Sequence, residues 1–189
     1  MTSARCVTAD DRALRARRSL LALLALQCIG VAGARAQTAP AAAARTLLML
    51  DFELIDSAPE SPFPAKQARL AMISQRLRDA FVRDGLYQPV DRAPVEPLIA
   101  AARARENLLD CHGCERDIAR AAGAERVLLG WVQRVSELIL NINIEVRRVD
   151  DGKVVLAKSV DLRGNNDQSW QRGIDFMVRD MKDKKQGNR

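Results

Sequence analysis

Residues 138–149 read Leu-Ile-Leu-Asn-Ile-Asn-Ile-Glu-Val-Arg-Arg-Val. Leu140, Ile142, Ile144 and Val146 point to one side of an extended chain, and Asn141, Asn143, Glu145 and Arg147 point to the other. The segment is therefore a strand with one buried face and one polar face. Asp150-Asp151-Gly152 follows it and signals a hairpin turn. Lys153–Arg163 then returns as an antiparallel neighbour. On the other side, Val127–Val135 is a largely apolar strand, so the three together make an antiparallel meander.

The earlier half of the sequence has a different rhythm. Thr46–Leu54 opens with a continuous apolar run, as expected of a strand covered on both faces. A loop over 56–64 carries Pro59, Pro62 and Pro64. Leu70, Ile73, Leu77 and Phe81 then recur at three- and four-residue steps, which predicts a helix over 65–83 ending at Gly85. Tyr87–Asp91 is short and contains Pro89, the mark of an edge strand. Helices are predicted over 94–105, with Val95, Leu98, Ile99 and Ala102 inward, and over 115–122, ending at Gly123. A last helix begins near Asn166 or Asp167, either of which can cap it, and buries Trp170, Ile174, Met177, Val178 and Met181.

The order β-α-β-α-α-β-β-β-α combines crossovers, which make parallel neighbours, with hairpins, which make antiparallel ones. The prediction is an α/β fold in one domain over 46–184. Its five-stranded mixed sheet has the order 2-1-3-4-5, with 46–54 and 127–135 central and helices flanking. Residues 185–189 are expected to be a flexible tail.

The amino end belongs to none of this. Arg12, Arg15, Arg17 and Arg18 precede an apolar run from Leu20 to Val31, and Ala34-Arg35-Ala36 supplies small residues for a signal peptidase. That order marks a secretory signal over 1–36, cleaved between Ala36 and Gln37. The apolar run is 12 residues, and a spanning helix needs about 20. No stable membrane span is therefore expected after cleavage, and the localisation is periplasmic. Arg17-Arg18-Ser19-Leu20-Leu21 also resembles a twin-arginine signal. Gln27 before Cys28 argues against lipidation there, since a lipoprotein signal has a small residue in that place. Residues 37–45 form an Ala/Pro-rich tether. The full chain has 30 Lys+Arg against 24 Asp+Glu, a net +6. Residues 1–36 hold six Arg and two Asp, which leaves 24 against 22 and a net +2 in the 153 residues that remain. The basic character is thus mostly the export signal's, and Lys182, Lys184 and Lys185 alone make no nucleic-acid face.

Cys111 and Cys114 are the two cysteines left after cleavage. In an oxidising compartment such neighbours pair as a structural disulfide. A redox-active pair is the alternative, with Cys111 the more exposed and acidic thiol ahead of a helix. Metal ligation is the third reading. His112 is the single histidine, so a multi-histidine site is excluded, and it is expected on an exposed loop. Asp51 and Glu53 share one side of a strand, with Asp56 beyond, and read as a polar strand end. No phosphate-binding glycine loop, nucleophile elbow or His-Glu-x-x-His is present. No catalytic residue, cofactor site or metal site is assigned. Asn141, Asn143, Glu145 and Arg147 read either as a solvated face or as a docking surface, because Asn is disfavoured in strands. Trp131 and Trp170 read as core.

Leu50-Asp51-Phe52-Glu53-Leu54, Cys111-x-x-Cys114 with Asp117-Ile118-Ala119, Gly130-Trp131-Val132 leading into 138–143, and Arg163-Gly164-Asn165 with Ser169-Trp170 carry a resemblance. Together they resemble a family of exported proteobacterial proteins defined by a domain of unknown function. More distantly the pattern is similar to the amino-terminal domain of TolB, to CsgG, and to lipoprotein activators of penicillin-binding proteins. That resemblance implies a non-enzymatic role in cell-envelope assembly, with an envelope or periplasmic protein as partner. Relatives of the close family are also associated with gene sets for quinoprotein-dependent alcohol oxidation, which implies an accessory role there as an alternative. The processing expectation has a direct check. Mass spectrometry of the exported chain should find a new amino terminus at Gln37, and an intact Met1 form released only by detergent contradicts it.

Overall fold

The computed structural model describes residues 45–57 and 65–187. The expected signal, the Ala36/Gln37 cleavage site and all of the tether before residue 45 lie outside the described residues. In chain order the elements are β1 (Thr46–Met49), β2 (Glu53–Asp56), α1 (Lys66–Arg83), β3 (Gln88–Pro89), a 3-10 turn (Ala93–Val95), α2 (Glu96–Arg103), α3 (Cys114–Ala121), β4 (Arg126–Arg134), β5 (Ile139–Arg148), β6 (Val154–Arg163) and α4 (Asp167–Gly187). The last helix therefore runs into the segment expected as a tail. The sheet is mixed and has the order β3-β1-β4-β5-β6, with β2 also on β4. The pairs β1/β3, β1/β4 and β2/β4 are parallel, and β4/β5 and β5/β6 are antiparallel. The α/β class is as the sequence implies.

The sheet differs from expectation in having six strands rather than five. Thr46–Leu54 is not one strand. Met49 pairs with Leu128 and Glu53 pairs with Trp131, so Leu50, Asp51 and Phe52 stand opposite only Leu129 and Gly130. One extra residue exchanges the two faces of everything that follows it. Unbroken alternation would place Asp51 and Glu53 on the same face as Leu47 and Met49. The bulge instead turns Phe52 and Leu54 onto that face, in the same core cluster, and sends Glu53 to the other. Phe52 N–H, left without a ladder partner, donates to Ser74 Oγ of α1 at 2.9 Å. Its ring fills the place where Gly130 has no side chain: a Cβ there would lie 2.8 Å from the ring carbons.

Two helices cover one face of the sheet. Leu70, Ile73, Leu77 and Phe81 of α1 and Trp170, Ile174 and Met177 of α4 pack on Leu47, Met49, Leu128, Val132 and the inner row of β5. Gly173 brings α4 close, since a Cβ there would lie 2.6 Å from Leu162 Cδ2. On the opposite face, Val95, Ile99, Leu108, Ile118 and Ala119 pack on Leu48, Leu50, Val127 and Leu129. That cover stops partway along β4. On this second face, from Trp131 across the middle of β5 and β6, no helix among the described residues overlies the sheet.

Charged contacts fix the ends of the bulged segment. Asp51 Oδ1 accepts from Arg78 Nη2 of α1 at 2.8 Å and from Arg92 Nη1, just past β3, at 2.7 Å. Arg103 of α2 donates to Asp51 O at 3.0 Å and to Glu53 Oε1 at 3.1 Å. Burial alone pushes the Asp51 carboxyl up, but the hydrogen bonds and charges of Arg92 and Arg78 outweigh it and hold the group at about 2. At the end of β2, Asp56 accepts from Arg134 Nε at 2.8 Å and Nη2 at 2.7 Å, and Arg134 is fully buried. Glu137 takes a third Arg134 donor at 2.6 Å, so this buried cation has the carboxylate partners it requires.

The bulge yields a stability test. Gly130→Ala should destabilise the domain by about 1–3 kcal/mol, the range for overpacking a filled core. Phe52→Leu in the same chain should recover part of that loss in denaturant unfolding. Strict additivity of the two changes contradicts the packing described.

Candidate functional site

A cleft of about 720 Å³ opens at the carboxyl end of β1, between α1 and α2, with Asp51, Glu53, Lys66, Arg78, Arg103 and Asn107 in its lining. Asp51 and Glu53 do meet here, but Arg103 brings them together across the bulge rather than a shared strand face. Both carboxylates are engaged. Asp51 holds Arg78 and Arg92, and Glu53 accepts from Arg103 and, through Oε2, from Leu108 N–H at 3.1 Å. A carboxyl held near 2 stays ionised at neutral pH and has no proton to give as a general acid. Asp56 lies apart, bound to Arg134. These acids brace the fold, as a polar strand end does.

The Cys111 and Cys114 sulfurs lie 2.00 Å apart, at disulfide distance. The loop between them turns back through His112 at φ 53° and Gly113 at φ 115°, and His112 is exposed. Exposure within the pair is the reverse of the sequence expectation. Cys111 is buried at 8% exposure against Leu108, Ile118 and their neighbours, whereas Cys114 is half-buried and is the first residue of α3. The more accessible sulfur, at the start of a helix, is therefore that of Cys114. Glu115 has a carboxylate near both sulfurs. It is 3% exposed and bound to Arg147 Nη1 at 3.1 Å.

The polar row of β5 divides in two. Asn141 and Asn143 are half-buried on the open sheet face, and Asn143 Nδ2 donates to Asn141 Oδ1 at 2.8 Å. Glu145 and Arg147 turn to each other, at 2.8 Å, and Arg147 reaches on to Glu115. Burial pulls the Arg147 guanidinium down, but Glu145 and Glu115 outweigh it and raise it. Arg147 thus braces α3 against β5, and the open surface centres on the asparagines.

Trp170 is fully buried, as expected. Trp131 is not a core residue. It is half-buried on the open face, in register between Glu53 of β2 and Asn143 of β5. Next to it Gln133 stands between Ile55 and Asn141. Ile55, Val135 and Ile139 are exposed on the same end of the face, at 37%, 47% and 58%, with Leu138 at the hairpin tip. Sequence reading missed Trp131 as a surface residue, and strand parity could have found it. Trp131 and Gln133 alternate with Val132 and Arg134, and Gln133 marks the side that meets solvent. The same parity places Arg134 on the buried side, with Leu128 and Val132.

Comparison with known proteins follows the fold. The LpoB C-terminal domain from Escherichia coli is similar at 16% identity, over 66% of this chain and 86% of that one, with a TM-score of 0.47. Lipoprotein GNA1162 from Neisseria meningitidis is similar at 15% identity, over 72% of this chain and 96% of that one, with a TM-score of 0.47. TolB from Acinetobacter baumannii is similar at 10% identity, over 71% of this chain and 28% of that one, with a TM-score of 0.38. These are likenesses of fold alone. No curated protein matches the sequence. The family model that matches, DUF3280, spans residues 45–181 and is described as "Protein of unknown function (DUF2380)". The chain belongs to that family.

Proposed function

We propose that this protein is an exported, non-catalytic binding or assembly module of the cell envelope. In this reading it takes a partner protein on the open sheet face around Trp131, Asn141 and Asn143. The observation that carries it is the half-exposed Trp131 beside two asparagines and the exposed Ile55, Val135 and Ile139. An aromatic anchor beside neutral amides and aliphatic side chains, with Glu53 held by Arg103 at its margin and Asp161 and Arg163 farther out on β6, fits a protein-binding patch that has an apolar and amide centre and a charged rim. The signal expected from the sequence of residues 1–36 supports export, and the engagement of Asp51 and Glu53 by arginines supports the non-catalytic reading. The second reading is a thiol–disulfide role for Cys111 and Cys114, favoured by Cys114 at the start of α3.

One experiment separates the two. Capture from periplasmic extract is run with the wild-type chain, Trp131→Ala, Asn143→Arg, Cys111→Ser and the double serine variant. Loss of a central anchor should weaken capture of the same protein by about tenfold or more, equivalent to about 1.4 kcal/mol. The double serine variant should retain it. Capture indifferent to Trp131 and Asn143 contradicts the docking face. Mixed disulfides trapped on Cys111→Ser would move the assignment to redox chemistry.

A further inference from the structure

Glu115 carries a charge inside the protein. It is the second residue of α3 and is 3% exposed. One carboxylate oxygen, Oε1, accepts from Arg147 Nη1 at 3.1 Å. Among the described residues the other, Oε2, has a single partner within bonding reach, Cys111 Sγ at 3.4 Å. While Cys111 is joined to Cys114, that sulfur carries no proton to donate. A buried carboxylate oxygen facing no donor calls for an explanation, and a place for an ion is one of the few available. The contact belongs to a larger group. One ligand atom each from Cys111, Cys114 and Glu115 lies within 4.8 Å of the other two. The turn through His112 and Gly113, both at positive φ, folds Cys111 back onto the first turn of α3 and brings that group together.

We propose that Cys111, Cys114 and Glu115 are the ligands of a zinc site in the dithiol state of the pair, so that disulfide and metal exclude one another. A dithiol opens the disulfide by exchange. Two electrons and two protons pass to the Cys111 and Cys114 sulfurs, and the donor's own sulfurs close to a disulfide. Zn²⁺ then binds both sulfurs and Oε2, and the two thiol protons leave to solvent. The ligand set selects the ion. Ca²⁺ and Mg²⁺ take oxygen ligands and Cu⁺ takes sulfur, whereas zinc takes thiolate and carboxylate together. The spacing fits as well. Tetrahedral zinc, with bonds of about 2.3 Å to sulfur and about 2.1 Å to oxygen, sets those two ligands about 3.6 Å apart, close to the 3.4 Å between Cys111 Sγ and Oε2. An outer shell is in place. Arg147 holds the second carboxylate oxygen, and Glu145 holds Arg147 at 2.8 Å, the kind of support that orients a ligating carboxylate. Two thiolates and a carboxylate bring three negative charges against two, and Arg147 offsets the third. A hollow of about 450 Å³, with His112, Glu115 and Arg147 in its lining, is the entry path and leaves the fourth position to water. This inference goes beyond the docking reading, and each can fail without the other.

The test is zinc uptake by the exported chain, in which Cys111 and Cys114 are the two cysteines. The chain is reduced with a dithiol, desalted without oxygen and equilibrated with zinc by dialysis. The dithiol form should hold one zinc per chain and the disulfide form none, a comparison that needs no substitution. Cobalt in place of zinc should show thiolate-to-cobalt charge transfer and the strong visible bands of a tetrahedral ion, and Cys114→Ser should lose both. Glu115→Gln keeps the shape of the side chain and an acceptor for Arg147. It should weaken zinc binding by about tenfold or more, since loss of an outer-shell partner alone costs about 10–100-fold. Far-UV circular dichroism checks that each variant is folded. A dithiol form that takes no zinc overturns the proposal. Zinc held as tightly by Glu115→Gln overturns it too, because the thiolates alone then make the site. So does zinc held equally by the disulfide form, which places the ion elsewhere.

Discussion

The Asp51 carboxylate is the constraint around which the domain is assembled. It sits where β1 leaves the sheet and receives guanidiniums from α1 and from the turn after β3, while Arg103 of α2 binds its backbone carbonyl. Those segments come from both faces of the sheet. Helix α1 packs with Leu47 and Met49, and α2 packs with Leu48 and Leu50. Hydrophobic contact alone would let either helix slide along its apolar stripe, because burial is not directional. A carboxylate 30% exposed with two guanidiniums within 2.8 Å fixes their position along the strand. Arg78 Nη1 is buried there without an acceptor, so Asp51 is the partner that makes burial of that cation tolerable.

The bulge that holds Asp51 also determines which surface stays open. It turns Phe52 into the core beneath α1 and releases Glu53 to the opposite face, where Arg103 and Leu108 N–H bind it. Helices α2 and α3 are thereby drawn over β1 and the first half of β4. They do not extend over β5 and β6. Among the described residues one face of the sheet is closed by helices and the other is half-covered, and Trp131 lies at the boundary of that cover. Arg147, clasped by Glu145 and Glu115, fixes the margin of α3 on the far side.

Much of this was legible in the residues themselves. Strict alternation over 138–149 gave β5 and its two faces, and the Leu70, Ile73, Leu77 and Phe81 stripe gave α1. Both periods are set by local geometry, which sequence records directly. The break at 50–52 was hidden because a strand apolar on both faces has no alternation to interrupt. The arginines that meet at Asp51 come from positions 78, 92 and 103 on three separate segments, and no local pattern links them. The site was only partly legible. Asn141 and Asn143 lie on the open face as read, but Glu145 and Arg147 are drawn into contacts with α3 that depend on tertiary placement. Trp131 was read as core because aromatic residues bury large areas. Its parity with Gln133 places it on the face away from Val132 and Arg134, while the point along that face at which the cover of α3 ends is tertiary and is not encoded in strand periodicity.

The most direct measurement is the titration of the Asp51 carboxyl in the folded chain by NMR, set beside unfolding free energies from neutral pH down to 2. A folded value below that of the unfolded chain means the unfolded state takes up the proton first, so stability falls with pH. The contribution is complete above about pH 5 and is lost as pH falls toward about 2. A midpoint near 2 is expected, and Asp51→Asn should remove about 2 kcal/mol of acid sensitivity. A midpoint near the ordinary carboxyl value of about 3.9, with Asp51→Asn as acid-sensitive as the wild-type chain, would contradict the role given to Asp51.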